Sequence, residues 1–318
     1  MAGRNAARAR LLFAGDANLD LVLTGLAGPP QEDKEILCEG FAPALGGSAT
    51  LTAAAYARLG GRCGFCGLLG EDENGRFVAS ALRDAGVDLD LLRMSRETGT
   101  GVTVSLVRGC SRTQITDPGS LAVVDETDTL LRVLSRYSHL HLSGIYCTGR
   151  FLPRVTEVLA AARSAGLGTS LDTQWDPSEE WRHADEWLPI LDWLFVNEGE
   201  AISLARRFCG VKGSGAEESW ARLAGMTARP IIKLGARGAC ASGKIYPAIS
   251  VEHVIDPTGA GDSFAAAFLY ASLSDGASQE DAVLFAQAAG SVACGFVGGY
   301  SPAFTHDRVA AVLNSGSF

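Results

Sequence analysis

Asp256-Pro257-Thr258-Gly259-Ala260-Gly261-Asp262-Ser263-Phe264 is the stretch on which the reading of this chain turns. Three small residues, Gly259, Ala260 and Gly261, stand where a helix begins. A helix N-terminus presents unpaired backbone N–H groups and the positive end of the helix dipole. Small side chains let a phosphate approach those groups. Asp262 falls in the first turn beside the same spot, where a carboxylate can take the proton from an attacking hydroxyl. The pattern suits the charge that develops on a transferring phosphoryl group. Taken alone, the four residues from Gly259 to Asp262 fit equally well a Gly-rich turn with an acid steadying a helix start.

Outward from this stretch, the chain organises itself as an α/β protein. Downstream, Gly259 to Leu273, Ser278 to Phe296 and Pro302 to Leu313 read as three helices. Upstream, strands at His139–Leu142, Thr169–Asp172, Trp193–Val196 and Ile231–Leu234 alternate with helices near 128–136, 153–165, 198–209 and 218–226. That alternation predicts a parallel sheet covered on both faces, with the strand C-termini and the site along one edge. Short strands are also expected at Ala239–Ser242, Lys244–Tyr246 and Val251–Val254. Nearer the N-terminus, Ser48 is placed to cap a helix running to Leu59, and Asp72 one running to Ala85 that Gly86 ends. Strands at Leu11–Ala14, Asp20–Leu23, Ile36–Phe41, Val102–Val107 and Thr113–Thr116 lack helices between several of them, which predicts a small sheet apart from the main body.

The 318 residues carry a formal net charge of −9. An acidic chain whose densest basic stretch is the short tail Arg4 to Arg10 argues against nucleic acid. No apolar run reaches the ~20 residues needed to span a membrane, and Leu11–Ala14 is too short for a signal-peptide core, so a cytoplasmic location is expected. The eight cysteines are spread through the chain. Cys63 and Cys66 form a CxxC without a second pair or a nearby His pair, and read as small apolar residues of the strand Cys63–Leu69.

The string from Asp256 to Phe264 resembles the C-terminal signature of the ribokinase, or PfkB, family of carbohydrate kinases. Gly15-Asp16-Ala17-Asn18-Leu19-Asp20 looks like that family's first-strand motif, and Gly46-Gly47-Ser48-Ala49 resembles its N-terminal signature. Leu68-Leu69-Gly70-Glu71-Asp72 matches the usual continuation, Asn197-Glu198-Gly199-Glu200 its N-x-x-E motif, and Lys233 to Gly238 its nucleotide-binding strand and turn. The resemblance implies a ribokinase-like three-layer α/β/α sandwich with a mainly parallel central sheet. It implies one kinase domain over residues 1–318, with a β lid from about 20–44 and 98–116. ATP and Mg2+ follow as cofactors, and a sugar or nucleoside as the acceptor.

By the same resemblance Asp262 is the general base and Gly259, Ala260 and Gly261 line the phosphoryl site. Asn18, Asp20, Gly46 and Gly47 serve the acceptor. Asn197, Lys233, Gly235, Gly238 and Gln287 serve the nucleotide, and Glu200 acts indirectly on magnesium. Asp256, Thr258, Ala293, Phe296 and Gly298 would hold a monovalent cation such as K+. A homodimer through the lid is implied as well. The match departs from the family at Leu51, where an acceptor-binding Asn is usual, and at Ser143-Gly144, where the ribose-specific branch has an acid. Both departures widen the acceptor class toward nucleosides or aromatic-capped sugars. The segment Arg112 to Ser120, with Thr113, Gln114 and Asp117, reads either as a lid that reaches the acceptor or as a surface hairpin. A ligand sensor that has kept the fold has no need of Asp262, and a dinucleotide-binding dehydrogenase lacks its GxGxxG after the first strand.

Overall fold

A computed structural model describes residues 9–108, 111–210, 215–249 and 254–315. The strands in chain order are β1 Arg10–Gly15, β2 Asn18–Thr24, β3 Gly40–Gly46, β4 Arg62–Gly70, β5 Asp88–Ser95, β6 Gly101–Arg108, β7 Ser111–Asp117, β8 His139–Ser143, β9 Gly168–Asp172, β10 Trp193–Asn197, β11 Pro230–Lys233, β12 Ala239–Ala241 and β13 Lys244–Tyr246. The helices are α1 Ser48–Arg58, α2 Glu73–Ala85, α3 Thr127–Val133, α4 Val155–Ser164, α5 Ala184–Trp187, α6 Glu198–Cys209, α7 Ala216–Leu223, α8 Ala260–Leu273, α9 Gln279–Ala293 and α10 His306–Ser315.

Nine strands form the main sheet in the order β13-β12-β11-β10-β9-β8-β1-β4-β5. It is parallel from β11 to β5, and β12 and β13 add an antiparallel edge. The central strand shows why. In β1, Leu11 and Phe13 enter one core and Leu12 and Ala14 the other, all of them buried. A strand apolar on both faces must be covered on both faces. One core is closed by α1, α2, α8, α9 and α10, the other by α3, α4, α6 and α7. Helix α8 is rich in alanine, and Ala265, Ala266 and Ala267 are fully buried. Small side chains let it lie deep between α1 and α9, which fixes its N-terminus at the sheet's C-terminal edge. Cys63 and Cys66 fall in opposite cores, so they point to opposite faces of β4 and burial raises both thiols.

A second sheet, β3-β2-β6-β7, stands on that same edge. It bears out the helix-free strands anticipated early in the chain, with one correction. The third strand is Gly40–Gly46 rather than Ile36–Phe41, because β2 pairs Thr24 with Gly40 and Asn18 with Gly46. A second correction concerns Ser48, which caps nothing. Gly47 is the N-cap, and the carboxylate of Asp16 accepts from the N–H groups of Ser48 (3.0 Å) and Ala49 (2.8 Å) instead. That external cap frees the Ser48 hydroxyl for the site. Edge strand β5, only partly buried, was not anticipated, and α10 begins at His306 rather than Pro302. Most of the expected strand Val251–Val254, and the tail Arg4 to Arg8, lie outside the described residues. Among the described residues no helix is long and apolar enough to cross a membrane.

Candidate active site

Two cavities meet at Asp262. The smaller, of about 160 Å³, is lined by Asn18, Asp20, Leu51, Thr103, Arg112 and Gln114 among others. The larger, of about 450 Å³, runs along Lys233, Gly235 and Gly238 to Gln287, past Ile249 and the start of α8. Asp262, Gln174 and Arg112 border both.

The floor of the smaller cavity comes from the small sheet. Asn18 and Asp20 are two residues apart on β2 and so share its inner face. Asn18 donates to Asp20 Oδ1 at 2.8 Å and to Thr103 Oγ1 at 3.0 Å, and Thr103 and Thr116 hydroxyls are 2.9 Å apart. Gly46 lies directly opposite Asn18, and a Cβ there would stand 2.1 Å from Asp20 Oδ1 and 2.7 Å from Asn18 Nδ2. Gly46 thus makes room for the side chains of Asn18 and Asp20, whereas Gly47 lets the chain pass close to the Asp16 carbonyl. Leu51, Leu121 and Cys147 form an apolar side of this cavity, and Trp175, 43% exposed, stands at its rim. In β7, Arg112, Gln114 and Thr116 line the cavity while Thr113 and Asp117 do not, as a strand's two-residue period requires. Of the three side chains singled out in that segment, only Gln114 reaches the site.

At the start of α8, Gly259 is the N-cap with φ 72°, a left-handed turn that its contact with Gly299 leaves no space for a side chain to adopt. Among the described residues the N–H groups of Gly261 and Asp262 have no protein acceptor. They lie where the larger cavity narrows toward Asp262. Lys233 reaches in from the end of β11, beside Gly261, and donates to Asp172 Oδ2 at 2.5 Å. Burial acts to lower the Lys233 ammonium, but the carboxylates of Asp172, Glu200 and Asp262 outweigh it and hold the charge on.

Asp262 itself is buried. Burial, with the nearby charge of Asp172, pushes its carboxyl up to about 6 against the opposing pull of Lys233, Ser48 and Arg112. Its Oδ1 accepts from Ser48 Oγ at 2.5 Å and from Gln174 Nε2 at 3.5 Å. Across the smaller cavity, burial likewise lifts Asp16 and Asp20 to about 7.

Asn197 and Glu200 form a closed capping box on α6. Asn197 accepts from the Glu200 N–H at 2.9 Å, and Glu200 accepts from the N–H and side-chain amide of Asn197 and from Thr173. Gln287 donates to the Tyr246 carbonyl at 2.8 Å and borders the larger cavity. Asp256 ties its own loop to the segment after α9. It accepts from Thr258 N–H (2.9 Å) and hydroxyl (2.6 Å) and from the Gly298 N–H (2.9 Å), while the Ala293 carbonyl accepts from Phe296 N–H. The expected cation residues are thus gathered around one turn, with the Asp256 carboxylate engaged by the protein.

The structure adds residues that no motif flagged: Asp172 ends β9, and Gln174 and Trp175 follow it closely. Asp16, quoted within the first-strand motif but given no role there, caps α1. The only sequence signal for Asp172, Gln174 and Trp175 is position, since strand C-termini in such a sheet face the site.

A model of the pfkB family carbohydrate kinases matches residues 8–305, and the chain belongs to that family. It is therefore an enzyme of the carbohydrate kinase class. It is 30% identical over 320 residues to the aminoimidazole riboside kinase of Salmonella typhimurium, covering 95% of this chain and 94% of that one. It is equally 30% identical to the ATP-dependent ribose-1-phosphate kinase of Halopiger xanaduensis, over 96% of this chain and 98% of that one. The ribokinase of Arabidopsis thaliana, solved with ribose and ATP, superposes with a TM-score of 0.78 at 26% identity over 96% and 98% of the two chains.

Proposed function

We propose that this kinase transfers the γ-phosphoryl group of ATP, in line, to a hydroxyl of a sugar or nucleoside, with Asp262 as general base. One observation carries the reading: Asp262 borders both cavities. A hydroxyl in the polar cavity and a terminal phosphate at the start of α8 meet at one carboxylate. Asn18 and Asp20 hold the acceptor, and the small sheet acts as its lid. The larger cavity takes the nucleotide along Asn197, Lys233, Gly235 and Gly238, with Gln287 toward the base. The free N–H groups at Gly261 and Asp262 stabilise the γ-phosphoryl oxygens. A base near pH 6 is ionised at neutral pH yet basic enough to draw a proton.

Magnesium, when bound with the nucleotide, neutralises phosphate charge. Both oxygens of Glu200 already accept hydrogen bonds from Asn197 and Thr173. That donor set fits an ion approached through water, as an indirect role for Glu200 requires. A monovalent ion such as K+ near the Asp256 turn, with Thr258, Ala293, Phe296 and Gly298, would steady the helix start; comparing turnover in potassium and in tetramethylammonium salts tests it. The family, together with the absence of a membrane-crossing helix among the described residues, supports a cytoplasmic enzyme.

The reading is tested by an ATP-to-ADP coupled assay against pentoses, hexoses, sugar phosphates and nucleosides. Turnover on one group is expected, and Asp262→Asn lowers kcat by about 10³-fold with ATP affinity kept. Near-full activity in that variant would show that another group is the base. A nucleoside acceptor is favoured specifically by Leu51, Leu121 and the exposed Trp175 on the rim. In that case Trp175→Ala raises KM for nucleosides but not for free sugars.

A further inference from the structure

The protein treats the two oxygens of the Asp262 carboxylate differently. Oδ1 accepts from Ser48 and Gln174, whereas among the described residues no group donates to Oδ2. Gln174 Nε2 also donates to Ser48 Oγ at 3.1 Å, and the Ser143 hydroxyl touches Ser48. An ionised carboxylate only accepts, so the single Ser48 proton goes to Asp262. Ser48 then accepts from Gln174 and Ser143, which fills its remaining capacity. Gln174 Nε2 carries two protons and lies within reach of three acceptors, Ser48 Oγ at 3.1 Å, Asp172 Oδ1 at 3.4 Å and Asp262 Oδ1 at 3.5 Å, so Ser48 is the firmer of the two holds on Oδ1. Its members come from the start of α1, the end of β8 and the loop after β9, three separate elements. Gln174 takes a left-handed backbone, φ 53°, uncommon outside glycine, that accompanies its side chain's contact with the carboxylate.

We propose that Ser48 and Gln174 are positioning residues that hold Asp262 by Oδ1 and leave Oδ2 as the oxygen that takes the acceptor's proton. The inference rests on Asp262 being the base. In the step, the acceptor O–H proton passes to Oδ2. The freed lone pair forms the bond to the γ-phosphorus, and the bond to the bridging oxygen breaks with its electrons leaving on ADP. Holding one oxygen stops the carboxylate rotating, and a misplacement of about 1 Å costs up to 10²-fold in rate. A donor on the ionised form also favours that form. Other charges face Asp262 from every side: Asp172 on β9, Lys233 on β11 and Arg112 on β7, with Asp16 and Asp20 across the cavity.

The experiment is the pH profile of kcat/KM for the acceptor in the full chain, for the unaltered protein, Ser48→Ala and Gln174→Met. Ser48→Ala is expected to move the acid limb up by about one pH unit and to lower kcat at pH 7 about tenfold, with KM for ATP unchanged. Gln174→Met moves the limb the same way by less, since its bond to Oδ1 is the longer. A limb that stays in place in Ser48→Ala, or a loss of rate equal at every pH, overturns the proposal. If Ser48→Ala fails to fold, the Gln174→Met profile decides in the same two ways. Asp262→Asn run alongside separates the levels. Retained turnover there overturns the base assignment, whereas abolished turnover with an unmoved limb in Ser48→Ala overturns only the roles of Ser48 and Gln174.

Discussion

Burial lifts four carboxyls around the site, Asp16, Asp20 and Glu200 to about 7 and Asp262 to about 6. The ordinary values are 3.8 for Asp and 4.5 for Glu. The folded state therefore binds more protons than the unfolded state between those limits. Stability is full below the unfolded values and is lost as pH rises through the folded ones. Thermal unfolding of the ligand-free protein should accordingly show a midpoint that falls between about pH 4 and about pH 7, while activity rises over the upper part of that range. Asp262→Asn removes one of these charges and is expected to stabilise the fold at pH 7.5 by about 1 kcal/mol even as it lowers kcat, measured by urea unfolding at pH 5 and pH 7.5. Asp262, Asn18 and Asp20 were legible because each sits in a contiguous motif. Gln174 and Asp172 were not, because they meet Asp262 only in the folded chain, Gln174 lying 88 positions before it in sequence. Ser48 was legible as a residue and misjudged as a cap, because nothing local reveals that Asp16, 32 residues earlier, already serves that end of the helix.

Among the elements, the regular strand–helix alternation after residue 125 was readable because short, largely buried strands, β8 to β11, recur between helices such as α4, α6 and α7 that are apolar on one face. The small sheet was readable as strands, less so in register. Ile36–Phe41 has the apolar character of a strand, but pairing is decided by β2, which takes Gly40–Gly46 as its partner. That register sets Gly46 against Asn18 and makes a strong test possible. Gly46→Ala would drive a methyl into Asp20 and Asn18. KM for the acceptor should rise at least about tenfold with KM for ATP unaffected, since no nucleotide-side residue is displaced. An unchanged acceptor KM in steady-state kinetics would mean that the β2 pair does not hold the acceptor.

At the scale of the molecule, the outer face of the small sheet is covered where Leu19, Leu21 and Val102 pack on the core and open toward its far end. Phe41 is 64% and Ile115 62% exposed. Paired residues lie on one side of a sheet, so Leu21, Leu23, Val104 and Leu106 join them there. An apolar face of this kind supports the homodimer through the lid that the family resemblance implies. Light scattering at micromolar concentration should find a dimer, and Phe41→Glu combined with Ile115→Glu a monomer; a dimer that survives both substitutions is built elsewhere. In β7 the two uses of the sheet alternate residue by residue, Gln114 turned to the cavity and Ile115 away from it. Loss or gain of a single residue within this strand would exchange the two sets at one stroke, placing Ile115 in the cavity and Gln114 on the outer face. The strand should therefore accept substitutions one at a time while refusing any change in its length.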